Sequence, residues 1–169
     1  MGYLQLPEKT YHGVKADGTA WTGVGSEAER ELVLNVGSRS GGRNLAAEET
    51  AESYTLDQYE KDGDVYTRVV GLGRTNNYKN VHKIVADFGS GNDQIIITDQ
   101  VTKAVDIKLG AGDDVITYQG TGAAAAGTVI DAGTGDDYVA TTGNSGETIY
   151  LGDGDDTIEL MNGYATVYG

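Results

Sequence analysis

Leu151-Gly152-Asp153-Gly154-Asp155-Asp156-Thr157-Ile158-Glu159 is the last of four related stretches. The others are Phe88-Gly89-Ser90-Gly91-Asn92-Asp93-Gln94-Ile95, Leu109-Gly110-Ala111-Gly112-Asp113-Asp114-Val115-Ile116 and Ala132-Gly133-Thr134-Gly135-Asp136-Asp137-Tyr138-Val139. The shared pattern is apolar-G-x-G-[DN]-D-x-[IV]. First glycines at 89, 110, 133 and 152 set the copies 21, 23 and 19 residues apart. A period of about twenty residues marks stacked supersecondary units, each burying its apolar face only against its neighbours.

Around each turn the apolar residues alternate. Ala86, Ile107, Ile130 and Ile149 stand two places before the leading apolar residues Phe88, Leu109, Ala132 and Leu151. After the turn come Ile95, Ile116, Val139 and Ile158, and two further on Ile97, Tyr118, Thr141 and Leu160. A period of two is the strand period, so these four sets should point inward. Each unit then reads as strand, Gly-Asp turn, strand and a looser return at 98–103, 119–127, 142–146 or 162–163. One edge keeps a fixed turn and the other varies. The expected fold is all-β, a parallel β-roll or β-solenoid of about four to five coils over 84–169. Stacked strands would lie about 4.8 Å apart. Ala165-Thr166-Val167-Tyr168-Gly169 lines up as the approach to a fifth turn, with Gly169 as its first glycine. On that reading the chain is a piece of a longer repeat protein.

Bulk composition agrees. Among 169 residues there are 26 Gly, one Pro and 11 Tyr against one Phe, which suits short strands and tight turns better than long helices. The net charge of −14 is uneven: residues 1–86 hold 12 acids and 10 bases, the remainder 14 acids and two bases. Such a field disfavours nucleic acid and anionic membranes and favours cations. No apolar run reaches spanning length, so no membrane insertion is expected. With no cysteine there is no disulfide or thiolate site, and the first residues do not read as a secretion signal.

Residues 1–80 carry no copy of the motif and read as a separate β-rich region or cap, followed by the repeats at 81–169. Ser26 and Glu29 could form a capping box, Glu31 to Val36 reads as a strand, and 44–52 as a helical turn or an acidic loop. Tyr54 to Tyr59 and Val65 to Val70 flank Asp62-Gly63, a hairpin signal. Residues 71–80 read as a polar turn.

In each Gly-x-Gly the backbone can take φ > 0 and turn carbonyls inward, and the next Asp adds an anionic oxygen. Carbonyl and carboxylate oxygens suit a hard cation of flexible geometry, calcium above magnesium, while the absence of His and Cys from these turns disfavours zinc and copper. Here the sequence resembles the RTX, or hemolysin-type, calcium-binding repeat family, whose nonapeptide is G-G-x-G-x-D-x-apolar-x. The resemblance implies Asp93, Asp114, Asp137 and Asp156 as carboxylate ligands of Ca²⁺. It implies carbonyl donors at Gly89, Gly91, Gly110, Gly112, Gly133, Gly135, Gly152 and Gly154. Two departures stand out. The family's first glycine is replaced by Phe88, Leu109, Ala132 and Leu151, and every second nonapeptide has become a loop, as in the one-sided variant of large bacterial adhesins. Asn92, Asp113, Asp136 and Asp155 read mainly as solvent-facing.

Catalytic signatures are missing. His12 and His82 are far apart, no H-E-x-x-H occurs, Arg39 stands where a nucleophile elbow needs serine, and Trp21 reads as a core anchor. The expected function is therefore a non-enzymatic, calcium-binding structural segment of a large secreted or cell-surface bacterial protein of adhesin, surface-layer or repeat-toxin type. It would fold on meeting extracellular calcium. Rival readings are a folding appendage of a secreted enzyme, and a self-assembling or ice-binding solenoid. The expected partners are calcium ions, with homotypic end-to-end or edge association open.

Overall fold

The structure is a computed structural model that describes residues 10–14, 20–22, 31–34, 51–71, 73–79, 81–121, 127–142 and 146–169. Ser26-to-Glu29, the loop at 38–43, the candidate helical turn at 44–50 and the Trp21 side chain lie outside what it describes. Every regular element among the described residues is a strand.

Two short strands, β1 (Thr10–Val14) and β2 (Ala20–Thr22), pair antiparallel. The remaining strands fall in two sheets. One holds β3 (Glu31–Val33), β7 (Lys83–Asp87), β9 (Ala104–Ala111), β11 (Val129–Thr134), β13 (Thr148–Asp153) and β15 (Thr166–Tyr168) in that order, all parallel. The other holds β4 (Ser53–Lys61), β8 (Gln94–Ile97), β10 (Val115–Tyr118), β12 (Tyr138–Thr141) and β14 (Thr157–Leu160), also parallel. From β7 onward successive strands fall in opposite sheets and return one rung further on, which makes this part of the chain a β-solenoid of about four turns.

The register matches the sequence period residue for residue. Tyr54, Ile95, Ile116, Val139 and Ile158 form one column, and Leu56, Ile97, Tyr118, Thr141 and Leu160 the next. Ala86, Ile107, Ile130, Ile149 and Val167 face them from the other sheet. The interior members are fully buried and join one core with Leu32, Leu34 and Phe88; Phe88 meets the Tyr54 ring edge-on at 5.9 Å. Leaving such a column by one residue would expose the whole set, so the pattern locks the register.

Three features differ from the sequence reading. Both sheets run across residue 80, because β3 pairs with β7 and β4 with β8, and residues from both sides share the core. The expected polar turn at 71–80 contains a strand, β6 (Arg74–Lys79), which pairs antiparallel with β5 (Asp64–Gly71) and extends the second sheet. Its polar side chains hid it, since an edge strand of a meander needs backbone pairing more than an apolar face. Finally, Thr166, Val167 and Tyr168 stand opposite Thr148, Ile149 and Tyr150, so the same register sets Gly169 opposite Leu151 rather than Gly152. The Asp62-Gly63 hairpin is present, with positive φ at both residues and β4 paired to β5 along its length.

Candidate metal centre

The turn begins inside the sheet. β9, β11 and β13 stay in the parallel ladder through Ala111, Thr134 and Asp153, pairing Gly110 with Gly133 and Gly133 with Gly152. All eight turn glycines have positive φ. A Cβ on Gly110, Gly133 or Gly152 would collide with the carbonyl oxygen of the matching glycine one coil earlier, and Gly112, Gly135 and Gly154 repeat this in the second column. Glycine is thus required twice over, by conformation and by the approach of the next coil. These carbonyls lie along the stacking direction, not turned inward as the sequence suggested. The ladder accounts for it, since interstrand bonds run in the sheet plane; Gly89 O, for one, accepts from the Ala111 N–H at 3.0 Å.

The carboxylates form a second, inner row. The Glu52 N–H donates to Asp93 Oδ1 at 2.6 Å, Asp93 to Asp114 at 2.7 Å, Asp114 to Asp137 at 2.8 Å and Asp137 to Asp156 at 3.0 Å. Each Asp therefore clasps the coil before its own. The outer residues clasp the coil after: Asn92 Oδ1 accepts from the Asp113 N–H at 3.1 Å, Asp113 Oδ1 from Asp136 at 3.1 Å, and Asp136 Oδ1 from Asp155 at 2.9 Å. That outer row is exposed, as expected, and needs only an acceptor oxygen, which explains why Asn92 serves where the others are Asp.

Glu52 is the residue the sequence reading missed. It occupies the Asp position of the first rung, with its carbonyl accepting from the Gln94 N–H at 2.8 Å as well as its own N–H donating to Asp93. The only signal was that Glu52-Ser53-Tyr54-Thr55-Leu56 repeats the acid-x-apolar-x-apolar half of the motif without the preceding glycines.

One oxygen of each inner carboxylate is thus used, and the second is not. Oδ2 of Asp93, Asp114 and Asp137 is buried and without a hydrogen-bond partner. Burial pushes the Asp93 carboxyl up to about 7 and Asp114 to about 6; the accepted amide pulls each down, and the neighbouring carboxylate raises it again. Asp137 is raised for the same reasons. A buried, unpartnered anionic oxygen is costly, and a cation, or a proton at lower pH, is what relieves it. The carboxylate row therefore fits a hard cation. Among the described residues no three His, Cys, Asp or Glu side chains gather into one cluster, so any ion here would rely on carbonyls and water for the rest of its shell. An engaged carbonyl keeps a second lone pair for that purpose. His82 stands exposed just before β7, away from this row in sequence.

No protein-family model, curated protein or solved structure matches the chain.

Proposed function

We propose that this chain is a calcium-binding structural repeat segment of a large secreted or cell-surface bacterial protein, folding when it meets extracellular calcium. The observation that carries the reading is the row of buried Oδ2 atoms on Asp93, Asp114 and Asp137, each with no partner while its sister oxygen holds the preceding coil. Calcium would supply the missing charge to that row without the strict octahedron magnesium demands. Asp93, Asp114, Asp137 and Asp156 would hold it, with the turn carbonyls of the flanking glycines contributing. The resemblance to the RTX repeat supports the same assignment by position.

The mechanism is linkage. The carboxylates are gathered only when the coils stack, so an ion that binds the stacked row and not the open chain adds its binding free energy to folding. In a compartment poor in calcium the acidic row opposes stacking. Outside the cell the ion reverses that balance, consistent with export of an unfolded chain, which the resemblance implies. The segment's role would be mechanical, a spacer made rigid by calcium, with no catalytic step.

Calorimetric titration with calcium, paired with circular dichroism in excess chelator and in millimolar calcium, tests this. Heat of binding together with a gain of β-structure is the expected result. Identical spectra in the two conditions and no heat would remove the proposal.

A further inference from the structure

The direction of each clasp fixes the gap to which a spare oxygen belongs. Asp93 Oδ1 accepts from the Glu52 N–H at 2.6 Å, so the Asp93 carboxylate lies between the β4 coil and its own. Its two oxygens share one carbon, which places the buried, unpartnered Oδ2 in that same gap. By the same rule Oδ2 of Asp114 belongs between the Asp93 and Asp114 turns, and Oδ2 of Asp137 between the Asp114 and Asp137 turns. Those two gaps have a Gly-x-Gly turn on either side. The gap behind Asp93 has one on a single side, since the chain holds no glycine from 44 to 62.

On the other side stands Glu52. Ser53 pairs with Gln94 and Tyr54 with Ile95, so Glu52 falls opposite Asp93 on strands about 4.8 Å apart. Both acids are buried, Glu52 at 5% exposure and Asp93 at 1%. Burial raises the Asp93 carboxyl most; the amide it accepts pulls it down, and the charges of Asp114 and then Glu52 raise it again. Glu52 therefore acts on Asp93 as a neighbouring anion. In the later gaps the preceding coil brings turn carbonyls instead, Gly89 O and Gly110 O both facing the coil that follows. Where those carbonyls are missing, the chain supplies a second carboxylate on a side chain one methylene longer than aspartate.

We propose that Glu52 and Asp93 hold a calcium ion of their own, at a site outside the repeated motif and built on two carboxylates. Resting on the proposed calcium function, this site adds a ligand that the motif does not contain. Calcium accepts carboxylates in single or bidentate fashion and completes a shell of about six to eight oxygens with carbonyls and water. Asp93 Oδ2 and the Glu52 carboxylate give that shell its charge. The ion also has a structural consequence. β4 is paired along its length with β5, so an ion shared by Glu52 and Asp93 ties the first glycine turn to the meander.

Equilibrium dialysis counts the calcium bound per chain, and circular dichroism of the same samples reports folding. Glu52→Gln keeps the length of the side chain and removes its charge, and should bind one calcium fewer than wild type. Glu52→Asp, which keeps a carboxylate, should retain the full count. Glu60→Gln, at the exposed end of the same strand, should change nothing. A Glu52→Gln chain that folds and binds the wild-type count would overturn this site and leave those of the motif standing. Failure of both Glu52 variants to fold would make the residue structural only, and would also sink the proposal. If Glu52→Gln alone fails to fold in millimolar calcium, more calcium should restore its spectrum, and no recovery counts against the site. A wild-type chain that binds no calcium at all would remove the calcium function itself, and this site with it.

Discussion

The meander of β4, β5 and β6 and the stacked coils from β7 onward belong to one sheet system but are held together differently. In the meander, neighbouring strands are joined by tight turns and their polar side chains answer one another. Arg68 pairs with Asp57, the Tyr59 and Tyr66 rings stack at 5.4 Å, the Tyr59 hydroxyl donates to Asn77 at 3.1 Å and Gln58 to Thr67 at 2.9 Å. Among the described residues between 51 and 79, no buried side-chain oxygen or nitrogen is left without a partner. In the coils, partners lie about one repeat apart, and the inner carboxylates carry one unanswered oxygen each. Local pairs make the meander self-sufficient in its polar bonding, while the coils leave Oδ2 of Asp93, Asp114 and Asp137 unanswered, which on the proposed reading is where an ion would act.

The largest expected difference between the two regions follows from calcium removal. Hydrogen exchange in excess chelator should lose protection across 84–168 while 53–79 stays protected longest. Uniform loss or uniform retention would erase the distinction. Next come the glycines. Gly133→Ala places a Cβ against the Gly110 carbonyl at φ 106°, adding a backbone collision to about 1–3 kcal/mol of conformational strain, so the coils should fail to stack at ordinary temperature. Gly63→Ala, at φ 81° in open space, should cost only about 1–2 kcal/mol by thermal melting.

Within the core, Ile116→Ala should cost about 2–5 kcal/mol in denaturant unfolding, and Ile158→Ala, on the partly open last rung, clearly less. Equal costs would mean that the last rung is as enclosed as the middle ones.

Acidity should separate the regions in a sense opposite to that of ordinary salt-bridged carboxylates. Asp93 and Asp114 titrate at about 7 and about 6 when folded, above their usual carboxylate range near 4, so the folded state binds more protons than the unfolded one between those values. Without metal, coil stability should therefore rise as pH falls from about 7 toward 4, while calcium affinity weakens as protons compete. Asp114→Asn, which keeps an acceptor for the Asp93 amide but carries no charge, should remove its own part of that dependence, leave the part due to the burial of Asp93, and lower the calcium heat. The smallest effect belongs to Arg68→Ala. That guanidinium is about half exposed, and removing it should change stability by about 1 kcal/mol or less.

Much of the repeat half was legible because its information is periodic. Ile95, Ile116, Val139 and Ile158 each declare an inward strand position locally, and their spacing declares the stack. β6 was not legible, because Arg74-Thr75-Asn76-Asn77-Tyr78-Lys79 has no apolar alternation and is a strand only through its backbone bonds to β5. Glu52 was hidden for a related reason: it acts through its main chain, which any residue carries.

The sequence by itself determined the period, the inward columns, the glycine turns and the acidic edge, since each is a property of residues a few positions apart. Only the tertiary structure decided which amide each carboxylate clasps, that inner and outer acids reach to opposite neighbours, and that one oxygen of Asp93, Asp114 and Asp137 is left over. Those are relations between residues 19 to 41 apart, set by the stacking of one coil against the next. A linear pattern can say that an acid stands at the turn; its burial, its single partner and its spare oxygen arise only when the next coil arrives.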